Sequence, residues 1–108
     1  MSIMSNKQNH KRWCKEFNAK CLERDNHKCV FCDITENLDV HHITDRHEIP
    51  NGGYVLSNGV TLCSEHHLDC EVYHMSGGFA KEGYHPNDLY GMIGSSYEKA
   101  FLESLELK

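Results

Sequence analysis

The stretch LDVHHITDRHEIPNGGYVLSNGVTLCSEHH, from Leu38 to His67, carries two adjacent histidine pairs separated by a loop marked by Gly and Asn. It spends four of the chain's nine histidines on two doublets. LDVHHI alternates well enough to predict a short strand over 38–43, and VTLC predicts a second over 60–63. Between them, Pro50 and the Gly52–Gly53 pair predict a loop without regular structure. SEHHLDCEVYHM then predicts a helix capped by Ser64, with His67, Glu71 and His74 on one face at spacings of four and three residues.

Trp13, Phe17 and Cys21 recur at helical spacing among Lys and Glu, which predicts an amphipathic helix over about 10–25; residues 1–8 read as disordered. RDNHKCVFCDITEN reads as a turn-rich knuckle. Beyond Met75 the pattern weakens. SGGFAKEGYHPNDLYGMIGSS reads as Gly-rich loop, and SYEKAFLESLEL predicts a closing amphipathic helix over about 96–107, carrying Tyr97, Phe101 and Leu105. The reading is a single α+β domain over 1–108 with helices flanking its core, and there is no internal repeat.

At 108 residues the chain is small, and domains of this size bury only about two-thirds of their unfolded surface, so a staple is expected. No run of about 18 apolar residues suggests a membrane span. The N-terminus has charges without an apolar stretch behind them, unlike a signal peptide. The expected location is therefore the cytoplasm, where the six cysteines stay reduced and a disulfide framework is disfavoured. Net charge is −5, unevenly spread. Residues 1–28 hold seven Lys/Arg against three acids, and residues 29–108 hold four against thirteen. A basic arm on an acidic body is compatible with phosphate binding, and equally with a solvated helix face.

Cys29 and Cys32 form a CxxC, and Cys63 and His66 form a CxxH. Two such pairs supply the four ligands of tetrahedral zinc, and the two-residue spacer lets both side chains of a pair turn onto one ion. Cys14, Cys21 and Cys70 sit on helical apolar stripes and read as packed thiols. A zinc ion with four protein ligands is closed and performs no catalysis. That leaves His67 free of it, and His41 and His42 on opposite sides of a strand. One of those two can join His67 at a second metal while its neighbour stays free as a base. Such a pairing suits phosphodiester hydrolysis, which needs an ion and a neutral imidazole to activate water. Glu71, one turn beyond His67, is a third ligand or an orienting hydrogen-bond partner. His10, His27, His47, His74 and His85 read as solvated.

ERDNHKCVFC, DVHHI, NGVTLC and CSEHH, in this order over roughly residues 20–75, resemble the HNH endonucleases with the ββα-metal (His-Me finger) fold. The resemblance implies a zinc-stabilised ββα-metal core. His42 takes the general-base position, His41 and His67 the catalytic-metal positions, and Asn58 that of the central asparagine bracing the loop; Asn51 is its rival. His66 stands where many relatives have a cysteine. The implied activity is an endonuclease leaving 5′-phosphate and 3′-hydroxyl, using Mg²⁺ or Mn²⁺, with Ni²⁺ or Zn²⁺ also suited to two imidazoles. DNA is expected over RNA. Arg46 is a candidate phosphate contact, with Lys28 and the basic N-terminal helix behind it. The small size resembles standalone phage or mobile-element nucleases, acting in a bacterial or phage-infected cell. The C-terminal segment packs back on the core or offers a surface to a partner protein or second copy. The competing reading is a non-catalytic zinc module binding nucleic acid or protein.

Overall fold

The computed structural model describes residues 6–108, with side chains from Asn9 onward. The disorder expected of residues 1–5 lies outside the described residues. Helix α1 (Asn6–Arg24) starts earlier than expected and takes in residues 6–8. Its sequence holds no Gly, Pro or β-branched residue, so nothing interrupts good helix formers such as Lys, Gln, Glu and Ala. The chain then reverses through left-handed Asn26 and His27 (φ 57° and 54°). Asparagine tolerates that conformation because its short polar side chain bonds locally.

Strand β1 (Leu38–His42) pairs antiparallel with β2 (Gly59–Cys63), with Leu38 opposite Cys63, His41 opposite Val60 and His42 opposite Gly59. These are followed by α2 (Ser64–Met75), α3 (Pro86–Met92) and α4 (Tyr97–Leu105). Four helices and a two-stranded sheet thus make a small α+β fold. No helix among the described residues is long and apolar enough to cross a membrane.

β2 is buried along its whole length, because each face of the sheet is covered. On one face Val60 and Leu62 pack with Ile43, Cys70, Leu89, Tyr90 and Ala100; on the other Phe17, Cys21 and Tyr54 form a smaller cluster. Gly59 makes the second face possible. A Cβ there would lie 2.5 Å from Cys21 Sγ and 2.6 Å from the Phe17 ring, so only glycine lets α1 lie this close. The Arg24–Asp25 pair fastens the end of α1 to the strand. The guanidinium holds the Asp25 carboxylate through two 2.8 Å bonds and donates to Leu56 O and Gly59 O, while Asp25 Oδ2 accepts from Thr61 N at 3.0 Å.

Four expectations need correction. The inter-strand loop is irregular over Pro50–Gly53, as expected, with Asn51 and Gly52 in left-handed conformation (φ 54° and 77°), but it holds one short 3₁₀ turn, Leu56–Asn58. Ser64 does not cap α2; Cys63 occupies that position and Ser64 Oγ turns to Asn37 O. Residues 86–92, read as loop, are helical because His85 and Asp88 form a reciprocal capping pair with Pro86 in the first turn. The closing helix runs from Tyr97 to Leu105, with Ser96 outside it as the cap. Its inner face packs back on the core through buried Ala100 and Ser104, leaving Leu102 and Leu105 exposed.

Candidate active site and metal-binding clusters

Cys29 and Cys32 lie in the turn after α1, Cys63 at the end of β2 and His66 in the first turn of α2. Their ligand atoms all fall within 4.8 Å of one another. Cys32 and Cys63 sulfurs are 3.8 Å apart, and His66 Nδ1 stands 3.6 Å from Cys29 Sγ and 3.2 Å from Cys63 Sγ. Zn–S and Zn–N bonds of about 2.3 and 2.05 Å put the edges of a tetrahedron at about 3.8 Å (S···S) and 3.6 Å (S···N). The group therefore fits zinc, and 3.8 Å is far beyond the roughly 2.05 Å of a disulfide. Burial raises the Cys29 thiol, but backbone N–H groups of Cys63, Phe31 and Cys32 outweigh it and bring the pKa below 9.0. The His66 backbone N–H draws Cys63 down as well. Against the Ile34 backbone N–H, burial and the neighbouring Cys29 and Cys63 hold the Cys32 thiol up at about 11, so ionisation of all three together calls for a cation among them. Phe31 stacks on the His66 ring at 5.1 Å, which fixes that ligand's plane.

The histidine doublets divide as the strand geometry requires. His41, on the face of Val60, is 2% exposed and meets α2: its Nδ1 is 3.1 Å from Glu71 Oε1, which is 3.2 Å from His67 Nε2. These three residues form a second cluster able to hold an ion. With metal–ligand bonds of about 2.1 Å, neighbouring ligands stand roughly 3.0–3.4 Å apart, so the spacing fits. The Asp39 carboxylate stands 3.5 Å from His67 Nδ1, the ring nitrogen turned away from Glu71. Glu71 thus sits among the imidazoles, one turn from His67.

His42, on the other face, is outside both clusters. Its ring stacks on Phe17 (centroids 4.6 Å, 28°) and meets the edge of Tyr54 (4.8 Å, 89°). Tyr54 is itself held by a 2.7 Å bond between its hydroxyl and His10 Nε2. No ring nitrogen of His42 bonds to another described residue, and Nε2 is buried without a partner. Burial first, then the positive charge of Arg46, pushes its pKa down to about 4; burial first, then the neighbouring histidines, pushes His41 to about 3. Both rings are therefore neutral near pH 7.

His41, His42 and His67 open onto one cavity of about 510 Å³ along the free edge of β1. Its walls are Cys14, Asn18 and Leu22 of α1, the strand, and His67, Glu71 and His74 of α2, with Asp45 and Arg46 at the mouth. Asn58 is fully buried behind it. Its Oδ1 accepts from Thr44 N and Tyr90 OH, and its Nδ2 donates to Thr44 O and Gly53 O. This ties the turn between the strands to the residue two beyond His42. Asn51 instead donates to Ser104 O. Arg46 lines the cavity and Lys28 does not.

Phe17, Tyr54, Asp39 and His74 are the site residues that sequence reasoning missed. His74 was legible as the next turn after His67 and Glu71, and its ring lies 5.3 Å from His41. Tyr54 carried no local signal, because only the fold brings it to His42. No protein-family model, no curated protein and no solved structure matches the chain. Its function therefore has to be read from these side chains.

Proposed function

We propose that the protein is a metal-dependent endonuclease of the HNH type, hydrolysing phosphodiester bonds of nucleic acid, DNA in preference to RNA. One observation carries this reading: a neutral, unligated imidazole, His42, opens on the same cavity as a His41–His67–Glu71 cluster that fits a divalent ion. A binding module has no use for a base beside a metal cluster. The strand, strand and helix that carry the two clusters would then be the ββα-metal core.

A divalent cation, Mg²⁺ or Mn²⁺, held by His41, His67 and Glu71 would stabilise negative charge on the phosphate oxygens. His42 accepts the proton of a water in the cavity, with Nδ1 the nitrogen available to it, as the oxygen attacks phosphorus. Phe17 and Tyr54 hold that ring in place, and the apolar contact keeps it deprotonated. Arg46 at the mouth meets a backbone phosphate. The zinc cluster holds β2 and α2 in register beneath the site.

The test is nicking of supercoiled plasmid with Mg²⁺ or Mn²⁺ by the zinc-loaded protein and by His42→Ala. Loss of a general base costs about 10²–10⁴-fold, with zinc content and circular dichroism unchanged. Equal nicking by both proteins removes His42 from the chemistry. No nicking by either favours the non-catalytic module.

A further inference from the structure

A second cavity, of about 360 Å³, lies between the segment that follows β1, the end of α2 and α3. It shares His74 with the histidine cleft and is lined by Thr44, the second residue after His42. Its remaining walls include Tyr73, His85, Tyr97, Glu48 and Asn87. We infer that this cavity holds one unpaired guanine base of the strand bound in the cleft, an inference that rests on the nuclease reading above.

The wall chemistry separates a base from a phosphate. No lysine or arginine among the described residues lines this cavity, whereas Arg46 lines its neighbour. It offers instead aromatic faces. Tyr73 and His85 meet at right-angled contact, with centroids 5.1 Å apart and planes at 70°. Tyr97 lies on the same wall, half-exposed. Aromatic faces attract any nucleobase by stacking. The volume suits a single small ligand, and a base can enter only with its pairing edge released.

Glu48 supplies the selection. Neither its carboxylate nor the Asn87 side-chain amide bonds to another described residue, while Thr44 Oγ1 and Tyr90 OH already satisfy each other at 2.6 Å. A carboxylate only accepts hydrogen bonds, on two oxygens. Guanine alone presents two N–H donors, at N1 and N2, side by side on its pairing edge. Adenine and cytosine set one donor beside an acceptor, and thymine and uracil set one donor between acceptors. Only guanine satisfies both oxygens at once, in the bidentate, charge-assisted form that discriminates most strongly.

The test has a binding arm and a cleavage arm, both on the zinc-loaded full chain. In the first, GMP, dGMP, AMP, CMP and UMP are titrated while the ring resonances of Tyr73 and Tyr97 are followed by NMR. GMP and dGMP are expected to shift both rings with at least tenfold lower Kd than the others, and Glu48→Gln, checked for zinc content and fold, to abolish that preference. Equal affinity for all five, or no shift of these rings, overturns the pocket. In the second, a lone guanine is walked along single-stranded deoxy- and ribo-oligonucleotides, and cleavage is expected to follow it at a fixed offset by at least tenfold. Cleavage indifferent to guanine overturns the pocket and leaves the nuclease reading standing. Guanine-selective ring shifts without any cleavage support the pocket and remove the nuclease reading.

Discussion

Replacing Asn58 by aspartate exchanges one NH₂ for an oxygen and leaves the volume almost unchanged. Asn58 is fully buried, and its Nδ2 donates at 3.1 Å to both Thr44 O and Gly53 O. In the aspartate an oxygen faces those two carbonyls, so both lose their donor and meet a like charge. Each orphaned buried carbonyl costs about 1–3 kcal/mol, which puts the total at no less than about 3 kcal/mol once carboxylate desolvation is added. For a domain this size that is a fall in Tm of at least about 12 °C. The assay is urea unfolding of the zinc-loaded variants Asn58→Asp and Asn58→Ala. Aspartate should cost at least as much as alanine even though it leaves no cavity. Its penalty should shrink from pH 7.5 to 5.5, as the carboxyl protonates and regains one donor. A cost below about 1 kcal/mol for Asn58→Asp, against the scale above, would refute the claim that the two Nδ2 hydrogen bonds hold the turn behind His42.

Two further outcomes follow from the same geometry. Removing zinc from Cys29, Cys32, Cys63 and His66 should unfold the chain, since structural zinc contributes about 10–16 kcal/mol against a typical total stability of about 5–15 kcal/mol. Circular dichroism with a chromogenic chelator tests this, and a metal-free protein melting at the same temperature would contradict it. Burial raises the Cys21 thiol from 9.0 to about 12, against the pull of Arg24. A folded-state pKa above the unfolded one gives stability present below pH 9 and lost between pH 9 and 12. By pH 10 the loss is about 1.4 kcal/mol, so unfolding at pH 8 and pH 10 should show a steeper decline in the wild type than in Cys21→Ala. Identical declines would mean the thiol is not the cause.

Local chemistry made the cluster able to bind zinc legible. Two residues between paired ligands, and the identities Cys and His, already restrict where those side chains can point, so Cys29, Cys32, Cys63 and His66 were readable before any fold was known. The same holds for the spacing of four between His67 and Glu71, which a helix turns into one face. Helix α1 was readable for a related reason: its apolar stripe repeats within the sequence itself. The capping pair around Pro86 was present too, but Gly83, Gly91 and Gly94 around it masked a helix of only seven residues.

Which histidine of the first doublet meets α2 could not be decided from adjacency, because alternation on a strand says only that the two diverge. Pairing decided it. His41 lies opposite Val60 on the α2 face, and His42 lies opposite Gly59, whose missing side chain admits Phe17. The aromatic walls around His42 and the second cavity join residues from distant parts of the chain, such as His10 with Tyr54 and Tyr73 with His85. Sequence by itself determined the local pairs, Cys29 with Cys32, Cys63 with His66 and His67 with Glu71, since covalent spacing limits reach. Tertiary structure alone determined which imidazole joins the cluster on α2 and what lies beside the other, since contacts between distant segments arise only when burial of their shared apolar surface brings them together.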